Sequence, residues 1–280
     1  MAQTVLVTGA GGYIGRHVVT ALLERGLAVK ALDLRLDDVD ERAEKVHLEL
    51  FSGDMDIYDQ MGRPDVVLHM AWRDGFKHAS HAHLDDLAKH FHLIENLYAG
   101  GLPQLAVMGT MHEVGYWEGA IDENSPCSPA SLYGIAKNAL REATFLSAQA
   151  HGAIAQWIRA YYIVGDDKFG NSIFSKLLAA AEEGRTTFPF TTGKNRYDFI
   201  SVDGLGEQIA AIVDQTEVDG IINACTGEPM TLAERVEAYI RDNDLGITLE
   251  YGAFPDRPYD SPGVWGDPTK IRRILASSAS

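Results

Sequence analysis

Short β-branched apolar runs alternate, over roughly the first two thirds of the chain, with stretches whose apolar residues recur at helical spacing. The runs are TVLVT (4–8), LAVKALD (27–33), KVHLELF (45–51), DVVLHMA (65–71), QLAVMG (104–109) and AIAQWIRAYYIVG (153–165); helical periodicity covers 12–25, 84–99 and 129–150. Strands this apolar have no face left for water. The pattern therefore predicts an α/β fold, a doubly wound parallel sheet of the Rossmann kind covered by helices on both sides. Beyond Gly165 come helical segments at 172–183, 203–214 and 231–242, a polar stretch TTFPFTTGKNRYDF, a strand-like IINAC and an irregular tail rich in Pro, Asp and Tyr. Such a mixture predicts a small C-terminal α/β lobe over the carboxyl edge of the sheet, where ligands of open α/β sheets bind.

Composition narrows the partners. The 280 residues are 46% hydrophobic and 23% charged, a globular profile, and the net charge of −16 with no basic run argues against nucleic acid or an anionic membrane. No apolar run approaches the roughly 20 residues that span a bilayer. The first strand begins too early for a signal segment, so a cytoplasmic location is expected. Cys127 and Cys225 stand far apart, which predicts two buried, reduced thiols.

The segment TGAGGYIG (8–15) closes the first strand and opens a helix. Gly9, Gly12 and Gly15 would allow a tight turn, close approach to a pyrophosphate and close helix packing, with the helix N-terminus facing the anion. Asp33, ending the second strand, suits the adenosine ribose hydroxyls and favours NAD; Arg35, two residues on, leaves NADP open. Asp54 suits the adenine amino group or, equally, a loop cap. Residues 1–164 are the expected dinucleotide-binding domain, with 196–224 returning to it. The expected substrate-binding lobe is 165–195 with 225–280.

Tyr133 and Lys137 form Y-x-x-x-K in a helix for which Ser128-Pro129 offers a start, so both side chains share one face. A phenol with a pKa of about 10 becomes a useful acid-base group only when a nearby cation stabilises its phenolate. Position supports the pair: the preceding strand ends at Thr110, whose hydroxyl can reach the same reacting oxygen.

With these residues in place the chain resembles the extended short-chain dehydrogenase/reductase family, which includes nucleotide-sugar epimerases, dehydratases and 4-ketoreductases. The resemblance runs through TGAGGYIG (8–15), Asp33, GD (53–54), VLHMA (67–71), Thr110, YGIAK (133–137), Arg159 to Gly165, YDFISVD (197–203) and Arg257. It implies Tyr133 as acid-base residue, Thr110 at the substrate oxygen and Lys137 on the nicotinamide ribose. Tyr13, Ile14, Met55, Met70 and Ala71 complete the expected cofactor contacts; Trp72, Arg73, His112, Tyr162 and Asn171 face the substrate, and Arg196 and Arg257 suit its diphosphate. Family dehydratases carry Asp-Glu directly after the catalytic Thr; here Met111 and His112 stand there, with Glu113 one step later, which argues against 4,6-dehydration. Tyr162 stands where many members have Asn.

The reading that follows is an NAD(P)-dependent oxidoreductase acting on the 4-keto or 4-hydroxyl group of a nucleotide-linked deoxysugar. An epimerase that retains NAD would use the same residues, and a non-catalytic dinucleotide sensor would not need Tyr133 and Lys137. A homodimer is expected from the resemblance. Five histidines crowd into HASHAHLDDLAKHFH (78–92). Helical spacing puts Leu84, Leu87, Phe91, Ile94 and Tyr98 inward and turns His90 and His92 some 200° apart, so the two cannot share an ion. No metal is expected; His78, His81 and His83 read as cleft wall.

Overall fold

The computed structural model describes residues 2–165, 172–256 and 260–278. Seven strands form one parallel sheet: β1 (Thr4–Thr8), β2 (Ala28–Leu32), β3 (Glu44–Val46), β4 (Val66–His69), β5 (Gln104–Thr110), β6 (Ile154–Ala160) and β7 (Gly220–Ala224). Their order is β7-β6-β5-β4-β1-β2-β3, the doubly wound arrangement expected. On one face α1 (Tyr13–Glu24) packs against α4 (Val202–Val213); on the other lie α2 (Leu87–Ala99) and α3 (Leu132–His151). Val5 and Val7 join Val18, Leu22 and Ile209 in the first layer, whereas Leu6 joins Leu93, Leu97 and Leu140 in the second. Both faces of β1 are thus apolar because both are covered, and each such side chain contributes roughly 1.5–3 kcal/mol.

Strand order reverses between β1 and β4, which opens a crevice at their carboxyl ends. A polar lock sets its floor. The Thr8 hydroxyl oxygen accepts from the backbone of Met70 and Ala71, both at 3.2 Å, so its single proton goes to His69 Nδ1 at 2.8 Å. His69 Nε2 then donates to His90 Nδ1 at 2.8 Å. Burial holds His69 well below its ordinary pKa and brings His90 down to about 3, so this chain runs through neutral rings.

The small lobe has its own core, with Phe174, Leu177, Phe190, Val236 and Tyr239 at its centre. A second sheet pairs Met230–Thr231, Arg196–Tyr197, Gly263–Gly266 and Gly119–Ile121, so a short strand from the first half of the chain lies beside one near its end; its Ile121, Tyr197 and Val264 pack on the main core. The tail expected to be irregular contributes Thr248–Glu250, Gly263–Gly266 and a helix, Thr269–Ser278, which packs on α4 and β7. Asp198 joins the two parts: its buried carboxylate accepts from the Thr226 backbone and hydroxyl, from Gly227 N at 2.9 Å and from Gly266 N at 3.2 Å.

Three local expectations are corrected. KVHLELF yields strand only at Glu44–Val46, because β3 is an edge with one neighbour and the following side chains alternate toward solvent. Helix α3 is capped by Ser131, whose hydroxyl accepts from Gly134 N at 3.1 Å; Ser128 is held in extended pairing with Gly115 and cannot begin a helix. The segment 84–99 breaks at Asp86, and its buried face holds His90, Leu93, Ile94, Leu97 and Tyr98, with Leu84 left exposed. A histidine replaces an apolar residue on that face because His69 satisfies its ring nitrogen.

Candidate active site

The loop after β1 requires its glycines. Gly9 has φ +74°, and a Cβ there would lie 2.7 Å from Ala71 N; a Cβ at Gly15 would lie 2.1 Å from Gly9 O. Gly12 stands at the N-cap of α1 and offers no side chain to the first turn, so the helix N–H groups face the crevice ready for an anion. Asp33 is held at the end of β2 by Gly11 N at 2.9 Å and Leu34 N at 2.6 Å. Tyr13 reaches across the crevice: its hydroxyl occupies the space that a Cβ on Gly165 would fill, at 1.7 Å. Ile14 packs on the core behind the turn. The residues present fit a dinucleotide, with a diphosphate cradle, a carboxylate for the ribose and an open slot beyond.

That slot lies between the loop after β3 and α2, lined by Phe51, Asp54, Ile57, His92, Leu93 and Asn96. Asn96 was not anticipated; its amide donates to the Asp54 carbonyl at 3.0 Å and so ties the loop to the helix. Met55 is 80% exposed at its rim.

At the end of β5, Thr110, Tyr133 and Lys137 meet. The Thr110 side chain lies close enough to the Tyr133 phenol to lower its pKa, its Oγ1 accepts from His112 N at 3.3 Å, and Lys137 Nζ donates to Met108 O at 2.7 Å. Burial raises the Tyr133 phenol against the lowering effect of Thr110; burial also pushes the Lys137 ammonium from 10.5 down to about 7, against the opposing charge of Glu113. Trp72 forms the adjoining wall. Its indole lies 3.8 Å from Lys137 Nζ, stacks on His90 at 4.4 Å and donates to His83 Nδ1 at 3.0 Å. His83 Nε2 in turn donates to Lys77 O at 3.0 Å, which fixes the tautomer.

His78 stacks on the Tyr133 ring at 5.0 Å, and His112 lies 4.4 Å from His78 and 6.2 Å from Tyr133. Burial lowers both, His112 to about 4, so neutral imidazoles surround the phenol at physiological pH. Of the five crowded histidines, His83 and His90 stack on Trp72 and His78 stacks on Tyr133, while His81 and His92 are exposed. Among the described residues no three His, Cys, Asp or Glu side chains gather as a metal site.

Three other expected substrate residues have partners within the chain. Arg73 pairs with Asp86 at 2.9 Å, Arg196 donates to Pro229 O at 2.9 Å, and Tyr162 stacks on Tyr197 at 4.2 Å against the main core. Asn171 and Arg257 lie outside the described residues. Glu113, unassigned by sequence, is fully buried and consumed by internal donors, so it offers no acid or base to a substrate. The clue to it in the sequence was its spacing of three from Thr110, which reads as a capping box and is observed as one.

A doubly wound sheet that ends in a dinucleotide cradle on one side and a Tyr-Lys pair on the other defines the extended short-chain dehydrogenase/reductase class. The sequence itself agrees. The chain belongs to the NAD dependent epimerase/dehydratase family, whose profile matches residues 5–225. It is 41% identical, over 94% of its length and 99% of the relative's, to the dTDP-6-deoxy-L-talose 4-dehydrogenase (NAD(+)) of Aggregatibacter actinomycetemcomitans. Its fold resembles that of the Thermotoga maritima UDP-glucose 4-epimerase solved with UDP-glucose (TM-score 0.81, 21% identity, 97% of this chain and 92% of that one). It likewise resembles the UDP-glucose 4-epimerase of Thermus thermophilus in complex with NAD (TM-score 0.78, 24% identity, 97% and 92%).

Proposed function

We propose that this protein is an NAD-dependent oxidoreductase of nucleotide-linked 6-deoxyhexoses, oxidising the 4-hydroxyl group or, in reverse, reducing the 4-ketone. The observation that carries this is the gathering of Thr110 at the end of β5 with Tyr133 and Lys137, one helical turn apart on α3, opposite a turn that fits a dinucleotide. The 41% identical relative, named for such a reaction, supports it over nearly the whole chain. Asp33 supports NAD over NADP, because a 2′-phosphate would face its carboxylate.

NAD, when bound, supplies the hydride acceptor at the reacting carbon. Tyr133, as phenolate, takes the proton of the 4-hydroxyl, and Thr110 holds the same oxygen. Lys137 provides the cation that makes the phenolate accessible. With neutral imidazoles around the ring, no second cation competes for that role. His112 and Trp72 would face the sugar, and the lobe would close over the nucleotide, with Arg196 and Arg257 as candidates for its diphosphate.

Purified protein given NAD and dTDP-6-deoxy-L-talose is expected to form NADH and a 4-keto sugar in equal amounts. Accumulation of the C4 epimer with no net NADH, and NAD carried through purification, would instead establish the epimerase. Dinucleotide binding without turnover of any sugar nucleotide would leave a sensor.

Dimerisation belongs to the same proposal. The outer face of α3 presents Ile135 (43% exposed), Ala139 and Leu146 (68% exposed), a stripe that a second copy would cover. Light scattering is expected to give twice the chain mass, and Ile135→Glu with Leu146→Glu to give the monomer; a monomeric wild type at all concentrations refutes it. The free thiols of Cys127 and Cys225 suit a reducing, cytoplasmic setting.

A further inference from the structure

Behind Thr110 and Lys137 lies a polar cluster that the proposed reaction does not use. Glu113 has no solvent exposure, yet its carboxylate is fully engaged. Oε1 accepts from Thr110 N at 2.8 Å and from Trp157 Nε1 at 2.7 Å; Oε2 accepts from Arg159 Nε at 3.2 Å. Arg141 Nε stands 3.7 Å away, too far for a hydrogen bond, and this guanidinium is balanced by Glu142. The chain makes room for the arrangement at Gly109, where a Cβ would lie 2.1 Å from the Trp157 indole nitrogen. A fully buried carboxylate is costly, and a core of this kind could be built from apolar residues at least as stably. The carboxylate instead accepts from the N–H of Thr110 at the end of β5, two residues beyond the Met108 carbonyl that accepts from Lys137 Nζ.

We infer that Glu113 is a positioning residue: it fixes Thr110 at the end of β5 and sets a buried negative charge behind the Tyr133–Lys137 pair. Around Lys137 the facing groups are Tyr133 on α3, Trp72, the neutral His69 of β4 and His90 of α2, and Glu113 after β5, while Arg141 and Arg159 face Glu113. Among them Glu113 is the group that opposes the burial of the ammonium. Its loss leaves the buried Arg159 without its carboxylate, and Lys137 releases its proton at lower pH.

This inference rests on the proposed reaction only for its kinetic arm. The direct arm needs no substrate. The difference in Tm between wild type and Lys137→Met, followed against pH, reports the titration of Lys137; the same difference between Glu113→Gln and the Glu113→Gln/Lys137→Met pair is expected to be displaced by about one pH unit downward. Superimposable curves overturn the inference and leave Glu113 a packing residue. Should Glu113→Gln not fold, Arg159→Gln serves, with an upward displacement expected and an unchanged curve again fatal. In turnover, Glu113→Asp should keep the wild-type pH profile with kcat reduced about tenfold, because the charge remains while the shorter arm loses its hold on Thr110. Glu113→Gln should move the profile. A wild type that turns over no sugar nucleotide overturns the proposed reaction and leaves the Tm result standing.

Discussion

Tyr133→Phe is expected to lower kcat about 10³-fold while leaving dinucleotide binding and Tm nearly unchanged. The lost hydroxyl is the titratable group beside the Thr110 side chain at the reacting position, and positioned proton transfer is worth roughly 10²–10⁴ in rate. Neither imidazole beside it is suited to take over. His112 titrates near 4 and His78 is also depressed, and both lie against the ring rather than on Thr110. Structure should be little affected, since the ring keeps its contacts with His78, His83 and Trp72. Stopped-flow NADH formation and a dinucleotide titration together check the prediction. Residual turnover above about one tenth of wild type would show that another group moves the proton.

Lys137→Met should do two opposite things: abolish activity and stabilise the fold. The ammonium is buried and held near 7 in the native protein, against 10.5 for a free lysine, so its native environment costs roughly 4 kcal/mol at neutral pH. Methionine avoids that cost, giving up the bond to Met108 O and the contact with Trp72, about 2 kcal/mol together. The net gain, about 2 kcal/mol, corresponds to a Tm rise of roughly 4–8 °C. Because burial lowers the native pKa, the unfolded chain binds the proton more tightly between about pH 7 and 10.5, and wild-type stability rises with pH across that window. The advantage of methionine is therefore greatest below pH 7 and is gone near pH 10.5. Differential scanning calorimetry across that range checks both sign and window. A lower Tm for Lys137→Met at neutral pH would mean that the ammonium stabilises the fold. That trade of stability for function is common where a charge must be kept in a dry site.

The sheet was legible because its strands are continuously apolar, a signal that needs no tertiary context. The glycine turn, Asp33, Thr110, Tyr133 and Lys137 were legible because short-range spacing and strand ends fix them. Glu113 was not, since a carboxylate next to a histidine looks exposed until Trp157 and Arg159, more than forty positions later, are seen to enclose it. His90 was misread for a similar reason. Periodicity assigns a histidine to the wet face unless its partner is known, and the partner, His69, comes from another element. Arg73 and Arg196 each have a partner that the sequence does not reveal, Asp86 and the Pro229 carbonyl, because both partners come from other elements.

The pairing of Gly119–Ile121 with Gly263–Gly266 has a consequence during synthesis. When the Tyr-Lys helix leaves the ribosome, the short strand just before it has no partner, and none exists until the strand near the end of the chain has been made. At about 5–20 residues per second that wait lasts roughly 7 to 30 s. For that interval the nascent chain exposes an unpaired strand edge next to a nearly complete nucleotide-binding half, a window in which chaperone capture competes with aggregation.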